Sequence, residues 1–271
     1  MRAFIVPDLH GRTDLMLGLL RAAGVATPDG RRAQETERDT VISVGDLING
    51  AMSSWDDDER TLREADGLID LVVIGNHEHP YYGGVPFSGF SPSPAVRSAL
   101  NSWERAGKMI RQAVIGDTLV THAGVHSKFR FETALGAAAA IEDAWDNYER
   151  YAAVKLGGVV YTRNRDFTFT KPSNGKQYTL PMASLVDGMP EKRGGWLRYG
   201  GVLWSDWSEP KNTSFSQVCG HTPVETGPVL VQHLKSEKFT VNIDTGAKSG
   251  KGPVGVWLDG DGEIIDFVET P

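Results

Sequence analysis

At 271 residues, with 40% apolar and 23% charged side chains, the chain can bury a sizeable core without needing a metal or disulfide merely to hold it together. A formal charge of −7 and no long basic run argue against a duplex nucleic-acid partner, which needs a cationic footprint. The single cysteine, Cys219, excludes an intrachain disulfide and suits a reducing compartment.

The opening "MRAFIVPDLHGR" has too short an apolar run for a signal peptide. No apolar stretch approaches the ~18 residues that a membrane span needs, so no membrane partner and a cytoplasmic location are expected. Short apolar runs then recur, each closing in a polar or glycine-bearing turn. "AFIV" (3–6) leads into "PDLHG", "TVISV" (40–44) into "GDLING", and "LVVI" (71–74) into "GNHEH". "DTLV" (117–120) and "FSQV" (215–218) lead into "THAG" and "CGHTP". Continuous apolar runs suit strands buried on both faces of a helix-covered sheet.

Helices are expected between these strands. One covers 14–23 behind Thr13 as its N-cap, and one covers 95–110 after "SPSP". A third, at 132–154, places Ile141, Trp145, Tyr148 and Ala152 on one face. "WDDDER" (55–60) reads as a solvated helix start with acids at the positive dipole end, and "GAAAA" (136–140) as helix packing. "FTVNID", "VGVWL" and "EIIDFV" read as strands of a second, partly antiparallel sheet, with "DGDG" as a hairpin turn. Residues 127–199 look like an elaboration within one domain spanning 1–271, with "TKPSNGKQ" as a turn inside it. Cys219 fits a small buried hydrophobe, and His233 has no ligand-like neighbour.

Polar residues collect where the five strands end: Asp8 and His10, Asp46, Asn76 and His77, His122, and His221. Ligands of open α/β sheets lie outside the carboxyl ends of parallel strands, so these chain-distant groups can converge on one rim. In an extended strand end Asp8 and His10, two apart, share a face. Asp46 offers a carboxylate able to bridge two cations, Asn76 a carbonyl oxygen, and His122 and His221 imidazoles. Mixed N/O ligation without thiolate favours manganese, iron, zinc or similar ions over a structural zinc cluster. Such a set can hold two metals, generate hydroxide from water and clamp a phosphoryl group. His77, beside a ligand, can protonate the leaving oxygen. "GNHE" is a specific pattern. "GD" and a lone Asp-x-His are weak alone, and it is the order of all five along the chain that carries weight.

In that order, "DLHG" (8–11), "GDLING" (45–50), "GNHE" (75–78), "THAG" (121–124) and "GHTP" (220–223) resemble the signature of the calcineurin-like metallophosphoesterases. "LWSD" (203–206) and "VNIDTGA" (241–247) are similar to segments of the serine/threonine phosphatase, phage lambda phosphatase and diadenosine tetraphosphatase branch. The resemblance covers 3–126 and 200–268 and leaves 127–199 unmatched. It implies an α/β fold: a four-layer sandwich of two mixed sheets flanked by helices, with a dinuclear centre at one edge. By the same resemblance Asp8, His10 and Asp46 hold one ion and Asp46, Asn76, His122 and His221 the other. Manganese is foremost, with iron, zinc, nickel or cobalt as alternatives. His77 is the general acid, with Asp46 bridging.

The departures bear on substrate. Serine/threonine phosphatases have an Asp that orients the acid histidine and an Arg that grips phosphate where this chain has Asn49 and Gly50. A second Arg expected after "GNHE" is also missing from "GNHEHPYYGG". Arg12, Arg193 and Lys211 are the candidate replacements, with Asn49 beside them. Fewer guanidiniums favour a monoanionic diester over a phosphomonoester dianion. The expected activity is therefore hydrolysis of small phosphodiesters or nucleotides. A phosphoprotein or dinucleoside-polyphosphate hydrolase is the alternative, and a catalytically silent metal-binding scaffold is the rival of another class. His79 and His126 stand beside the motifs. Tyr81, Tyr82, Phe87 and Phe90 form a loop that is either self-packed or able to stack a base.

Overall fold

The run "AFIV" becomes a strand whose four residues are all buried, and its pleat divides them between two cores. The computed structural model describes residues 1–50, 53–82, 90–150, 153–156, 159–163, 169–170, 177–178, 183–186, 188–194, 197–224, 227–233 and 236–270. The turn expected within "TKPSNGKQ", Phe87 and Ala152 lie outside the described residues, as does the side chain of Tyr148.

In chain order the elements begin β1 (Ala3–Val6), α1 (Thr13–Ala22), β2 (Thr40–Ser43), α2 (Trp55–Asp66), β3 (Leu71–Val73), α3 (Pro94–Arg105) and β4 (Met109–Ile110). There follow β5 (Ala113–Ile115), β6 (Thr118–Val120), α4 (Ala134–Arg150), β7 (Ala153–Leu156), β8 (Val159–Arg163), β9 (Phe169–Thr170), β10 (Gln177–Tyr178) and α5 (Ala183–Val186). The last five strands are β11 (Ser216–Cys219), β12 (Val229–His233), β13 (Lys238–Asn242), β14 (Val254–Leu258) and β15 (Ile264–Glu269).

One sheet runs β15-β14-β1-β2-β3-β4, with β1 to β4 parallel and β14 antiparallel to β1. The other runs β12-β13-β11-β6-β5, with β13, β11 and β6 parallel. A small antiparallel sheet, β10-β9-β8-β7, lies in the 127–199 stretch. Ala3, Ile5, Ile42, Val44 and Val73 face Val120, Val218, Phe239, Val241 and Ile243 between the two large sheets. Phe4, Val6, Val41 and Val72 point the other way and bury with Leu19, Leu20, Leu62, Val96 and Leu100 of α1 to α3. Each such side chain contributes about 1.5–3 kcal/mol when fully buried, so the double-sided packing dominates the fold's stability.

On the far side, Ala134, Ala137, Ala138, Ile141, Ala144 and Trp145 of α4 bury with Leu119, Val125 and Phe215. The layers are thus helices, sheet, sheet, helix: two mixed sheets flanked by helices. The alanine run packs as expected. Because α4 supplies the outer layer of the second sheet, this part of the 127–199 stretch belongs to the framework.

Four local expectations need correction. The C-terminal strands do not form one sheet: β13 joins the second, while β14 and β15 extend the first. The helix expected to reach residue 110 stops at Arg105, because Gly107 turns at φ +72° and Met109–Ile110 then pairs with β3. Thr13 is not the cap of α1 but its first residue, its hydroxyl bonded to that of Thr61 at 2.7 Å. In "WDDDER", Ser54 and Asp57 form a capping box, but Asp58 is buried and accepts the Asn49 N–H at 2.9 Å.

Candidate active site

Strands from two sheets, rather than one, deliver the polar residues. β1, β2 and β3 end at one rim, and β6, β11 and β13 end beside them. Main-chain bonds zip the loops together: Leu9 and His10 N–H both donate to the Asp46 carbonyl (3.0 and 2.8 Å), and Gly11 N–H donates to Leu47 (2.7 Å). β1 ends at Val6, so Asp8 and His10 are not placed by strand alternation. His10 instead takes φ +50°, with Asp46 at +51°, Asn49 at +59° and His221 at +72°. These are four of the six left-handed non-glycine residues among the described ones. Such backbone costs about 1–3 kcal/mol per residue and persists where neighbours over-determine it. Two glycines make the approach possible. A Cβ on Gly75 would lie 2.3 Å from Asp46 Oδ1, and one on Gly220 would lie 1.9 Å from Asp8 Oδ2.

Glu78 clamps this arrangement, a role the sequence reading left unassigned. Its fully buried carboxylate accepts N–H bonds from Asp46 (2.8 Å), Leu47 (2.9 Å) and Gly75 (3.0 Å), tying the "GDL" loop to "GNHE". Burial and the Asp46 charge push its pKa up to about 7 despite those bonds. Glu78→Gln turns one oxygen into a donor facing N–H groups. We expect it to cost about 1–3 kcal/mol of stability and to weaken metal binding about 10–100-fold, read by calorimetric melting and metal titration at pH 8. Unchanged melting and affinity would show that the clamp is dispensable.

The donor atoms meet closely. Asn76 Oδ1 lies 2.9 Å from His122 Nε2 and 2.8 Å from His221 Nδ1, and those two nitrogens are 3.1 Å apart. His122 Nδ1 lies 2.9 Å from the Val44 carbonyl, to which it donates, so Nε2 of the neutral ring carries a lone pair. That lone pair faces the Asn76 carbonyl and Asp46 Oδ1, the latter at 3.5 Å. Protonation is an expensive way to reconcile them, because burial drives the His122 pKa down to about 4 and lowers His221 further below its usual range. A carbonyl oxygen, a carboxylate and two neutral imidazoles converging in this way fit a cation. His10, Asp46 and His77 form a second buried group with ligand atoms within 4.8 Å of one another, as do Asp46, His122 and His221.

Asp8 is held by the His221 N–H on Oδ1 (3.0 Å), while its buried Oδ2 has no hydrogen-bond partner among the described residues. Asp244, also unassigned from sequence, follows β13 and is buried, and its Oδ2 likewise has no partner among them. Burial raises the pKa of Asp8, Asp46 and Asp244, for Asp8 with help from Asp244 and Asp46. Burial lowers that of His10 to about 3. Neutral imidazoles beside carboxylates that lack charge compensation suit divalent ions.

His77 is fixed at both ends. Its N–H donates to Asp46 Oδ1 (2.9 Å), and its carbonyl accepts from Asn49 Nδ2 (3.3 Å). The Asn49 side chain therefore holds His77 by its main-chain carbonyl. Arg193 reaches the rim, with Nη2 2.9 Å from Thr222 Oγ1 and 3.1 Å from Asp206 Oδ2, and its charge acts on Asp46 and His122. Lys211 is buried, bonded to Ser205 Oγ (2.5 Å) and the Asp206 carbonyl (2.8 Å). Arg12 lies outside, against Gly250. A third rim cation, Lys248, escaped the sequence reading.

Around the site, His79 and His126 are buried, edge-on to Trp145 (5.0 Å) and tilted over Tyr199 (4.2 Å) respectively. Tyr81 packs on Phe90 at 5.2 Å, the self-packed alternative. Cys219 is buried with its thiol pushed up to about 12, and His233 bonds Thr240 Oγ1 at 2.9 Å.

A two-sheet sandwich with acceptor-lined metal positions at its rim defines a metallophosphoesterase, a hydrolase class. The family model for calcineurin-like phosphoesterases matches residues 1–244, and the chain belongs to that family, whose members depend on a dinuclear divalent-metal centre. Among solved structures, the cold-active protein-tyrosine phosphatase of a psychrophile, Shewanella sp., is similar at 15% identity and a TM-score of 0.58, over 100% of this chain and 80% of that one. A mutant cold-active protein tyrosine phosphatase gives 16% and 0.59 over the same shares. A protein serine/threonine phosphatase from Saccharomyces cerevisiae gives 14% and 0.46, over 100% and 80%. The first two likenesses are of fold. No curated protein matches in sequence. Among the described residues no helix is long and apolar enough to cross a membrane.

Proposed function

We propose that this phosphoesterase acts in the cytoplasm on small phosphodiesters or nucleotides. Asp8, His10 and Asp46 would hold one ion, and Asp46, Asn76, His122 and His221 the other, with manganese the first choice. The observation that carries the reading is the convergence of Asn76 Oδ1, His122 Nε2 and His221 Nδ1 within 3.1 Å of one another. When bound, divalent ions polarise phosphoryl oxygens and make water nucleophilic at neutral pH. The chain's own part is to hold Asp46 between the two donor groups and to present His77 for proton delivery to the leaving oxygen.

The diester preference rests on the lost guanidinium at position 50. A Cβ on Gly50 would lie 2.3 Å from the His10 carbonyl oxygen, so the local backbone is incompatible with an arginine there. Arg193, already engaged by Asp206 and Thr222, offers only part of its donor set. The test is kcat/KM for nitrophenyl phosphate, bis-nitrophenyl phosphate, nucleotides and cyclic nucleotides at saturating manganese. We expect the diester or a nucleotide to lead. A lead for the simple monoester would overturn the preference. Absence of turnover with any ester, under manganese, iron, zinc, nickel or cobalt, would make the protein a silent scaffold.

A further inference from the structure

The turn after Asp244 brings two cations together, Lys248 within it and Arg12 over its end. Arg2, Arg60, Arg111 and Lys238 form direct ion pairs with Asp39, Asp14, Glu142 and Asp117. Neither the Lys248 ammonium nor the Arg12 guanidinium makes a hydrogen bond or ion pair with the described residues. Neither spends a donor on a described residue, so both keep N–H groups for a ligand.

Their placement is built into the backbone. Lys248 sits in a short 3-10 turn, Ala247–Ser249, flanked by Gly246 (φ +88°) and Gly250 (φ +82°). That turn is anchored beside the metal-ligand cluster, because the Gly246 N–H donates to Asp244 Oδ1 (3.0 Å) and Thr245 Oγ1 donates to the Gly252 carbonyl (2.9 Å). Arg12 follows "DLHG" directly, and its guanidinium lies over Gly250: a Cβ there would stand 3.4 Å from Nη2 and 3.9 Å from Nη1. Two loops that each begin at a candidate ligand or its neighbour thus bring their cations to one turn.

The two are not equivalent. The Lys248 charge acts on His10, Asp46, His77 and Asp244, so it is the inner one. Arg12 acts on Asp57 in the first turn of α2, so it lies farther out. Beyond Arg12 opens a cavity of about 290 Å³, lined among others by Gly11, Thr13, Ser53, Asp57 and Arg60. An elongated anion leaving the metal positions along this turn would meet an ammonium first and a guanidinium second.

We infer that Lys248 and Arg12 form a two-step anion track, Lys248 gripping the reacting phosphoryl group and Arg12 a second phosphate of the same substrate. The inference rests on the phosphoesterase reading and narrows it to substrates bearing more than one phosphate. An ammonium, a point charge, suits a group that changes shape during reaction, whereas a guanidinium fork suits a fixed phosphate held through two parallel bonds.

The experiment measures binding of inorganic phosphate and of ADP to protein loaded with excess manganese, by calorimetry, with metal content checked in every variant. Lys248→Ala should weaken both ligands about tenfold or more, and Arg12→Ala should weaken ADP about tenfold while leaving inorganic phosphate unchanged. Lys248→Arg should restore phosphate binding, and Lys251→Ala, one residue past the turn, should change neither ligand. Unaltered binding of both ligands in both alanine variants at full metal content would overturn the track. So would equal losses on both ligands in Arg12→Ala. If wild type hydrolyses bis-nitrophenyl phosphate and Arg12→Ala leaves ADP affinity intact, the track fails and the phosphoesterase reading stands. If no ester is hydrolysed yet ADP binding falls as stated, the track stands and the phosphoesterase reading fails.

Discussion

Asp46→Asn is expected to lose bound metal and activity together, while its metal-free form melts no lower than wild type. Asp46 Oδ1 accepts the His77 N–H at 2.9 Å and lies 3.5 Å from His122 Nε2. Its Oδ2 lies 3.8 Å from both His10 Nε2 and His77 Nε2. One carboxylate thus stands between both donor groups, and asparagine removes its charge and one of its acceptor oxygens. The sign for stability runs the other way. Burial raises the Asp46 pKa above its unfolded value, so the folded metal-free protein binds the extra proton and loses stability as pH rises through that range. A neutral amide removes that penalty. The metal-induced rise in melting temperature, worth about 2.7 kcal/mol at a hundredfold excess over Kd, should shrink or vanish. Elemental analysis and calorimetry with and without manganese read both effects. Full metal content with wild-type turnover would refute the bridging role.

What the sequence made legible follows from where information was local. The strands β1, β2, β3, β6 and β11 announce themselves as unbroken apolar runs, and each run carries its functional residue in the next few positions. Partnerships across long separations were not legible. The Glu78 clamp spans 31 and 32 residues to the Asp46 loop, and only the fold tells which N–H groups a buried glutamate meets. Asp58 looked like one more solvated acid because its partner, the Asn49 N–H, belongs to another motif. β14 and β15 were readable as a hairpin, but the sheet they join is decided by packing on β1. β4 has two residues, too few for any periodicity to register. Lys248 stayed hidden for the opposite reason: a lysine between glycines is ordinary until its turn is seen beside Asp244. The left-handed backbone of His10 and His221 has no signature in residue type, because histidine gives no hint of φ.

His77→Ala should retain metal but slow hydrolysis by ~10²–10⁴-fold when the leaving group is a poor one such as an alkoxide. The ring is buried at the centre, edge-on to His10 with centroids 4.7 Å apart. The Asn49 side chain, which stands where serine/threonine phosphatases have an Asp, is spent on the His77 carbonyl. Burial, His10 and Lys248 all lower the His77 pKa. A proton on this ring is therefore held weakly, so the acid form is the minor one at neutral pH. A nitrophenolate departs without a proton, so the loss on an activated ester should be much smaller. The comparison pairs an alkyl ester with its nitrophenyl counterpart, in wild type and variant, at saturating manganese and with metal content measured. Equal losses on both esters would refute the acid role. A fall in metal content would make His77 a ligand instead, as its place 3.8 Å from Asp46 Oδ2 in one donor group with His10 also permits.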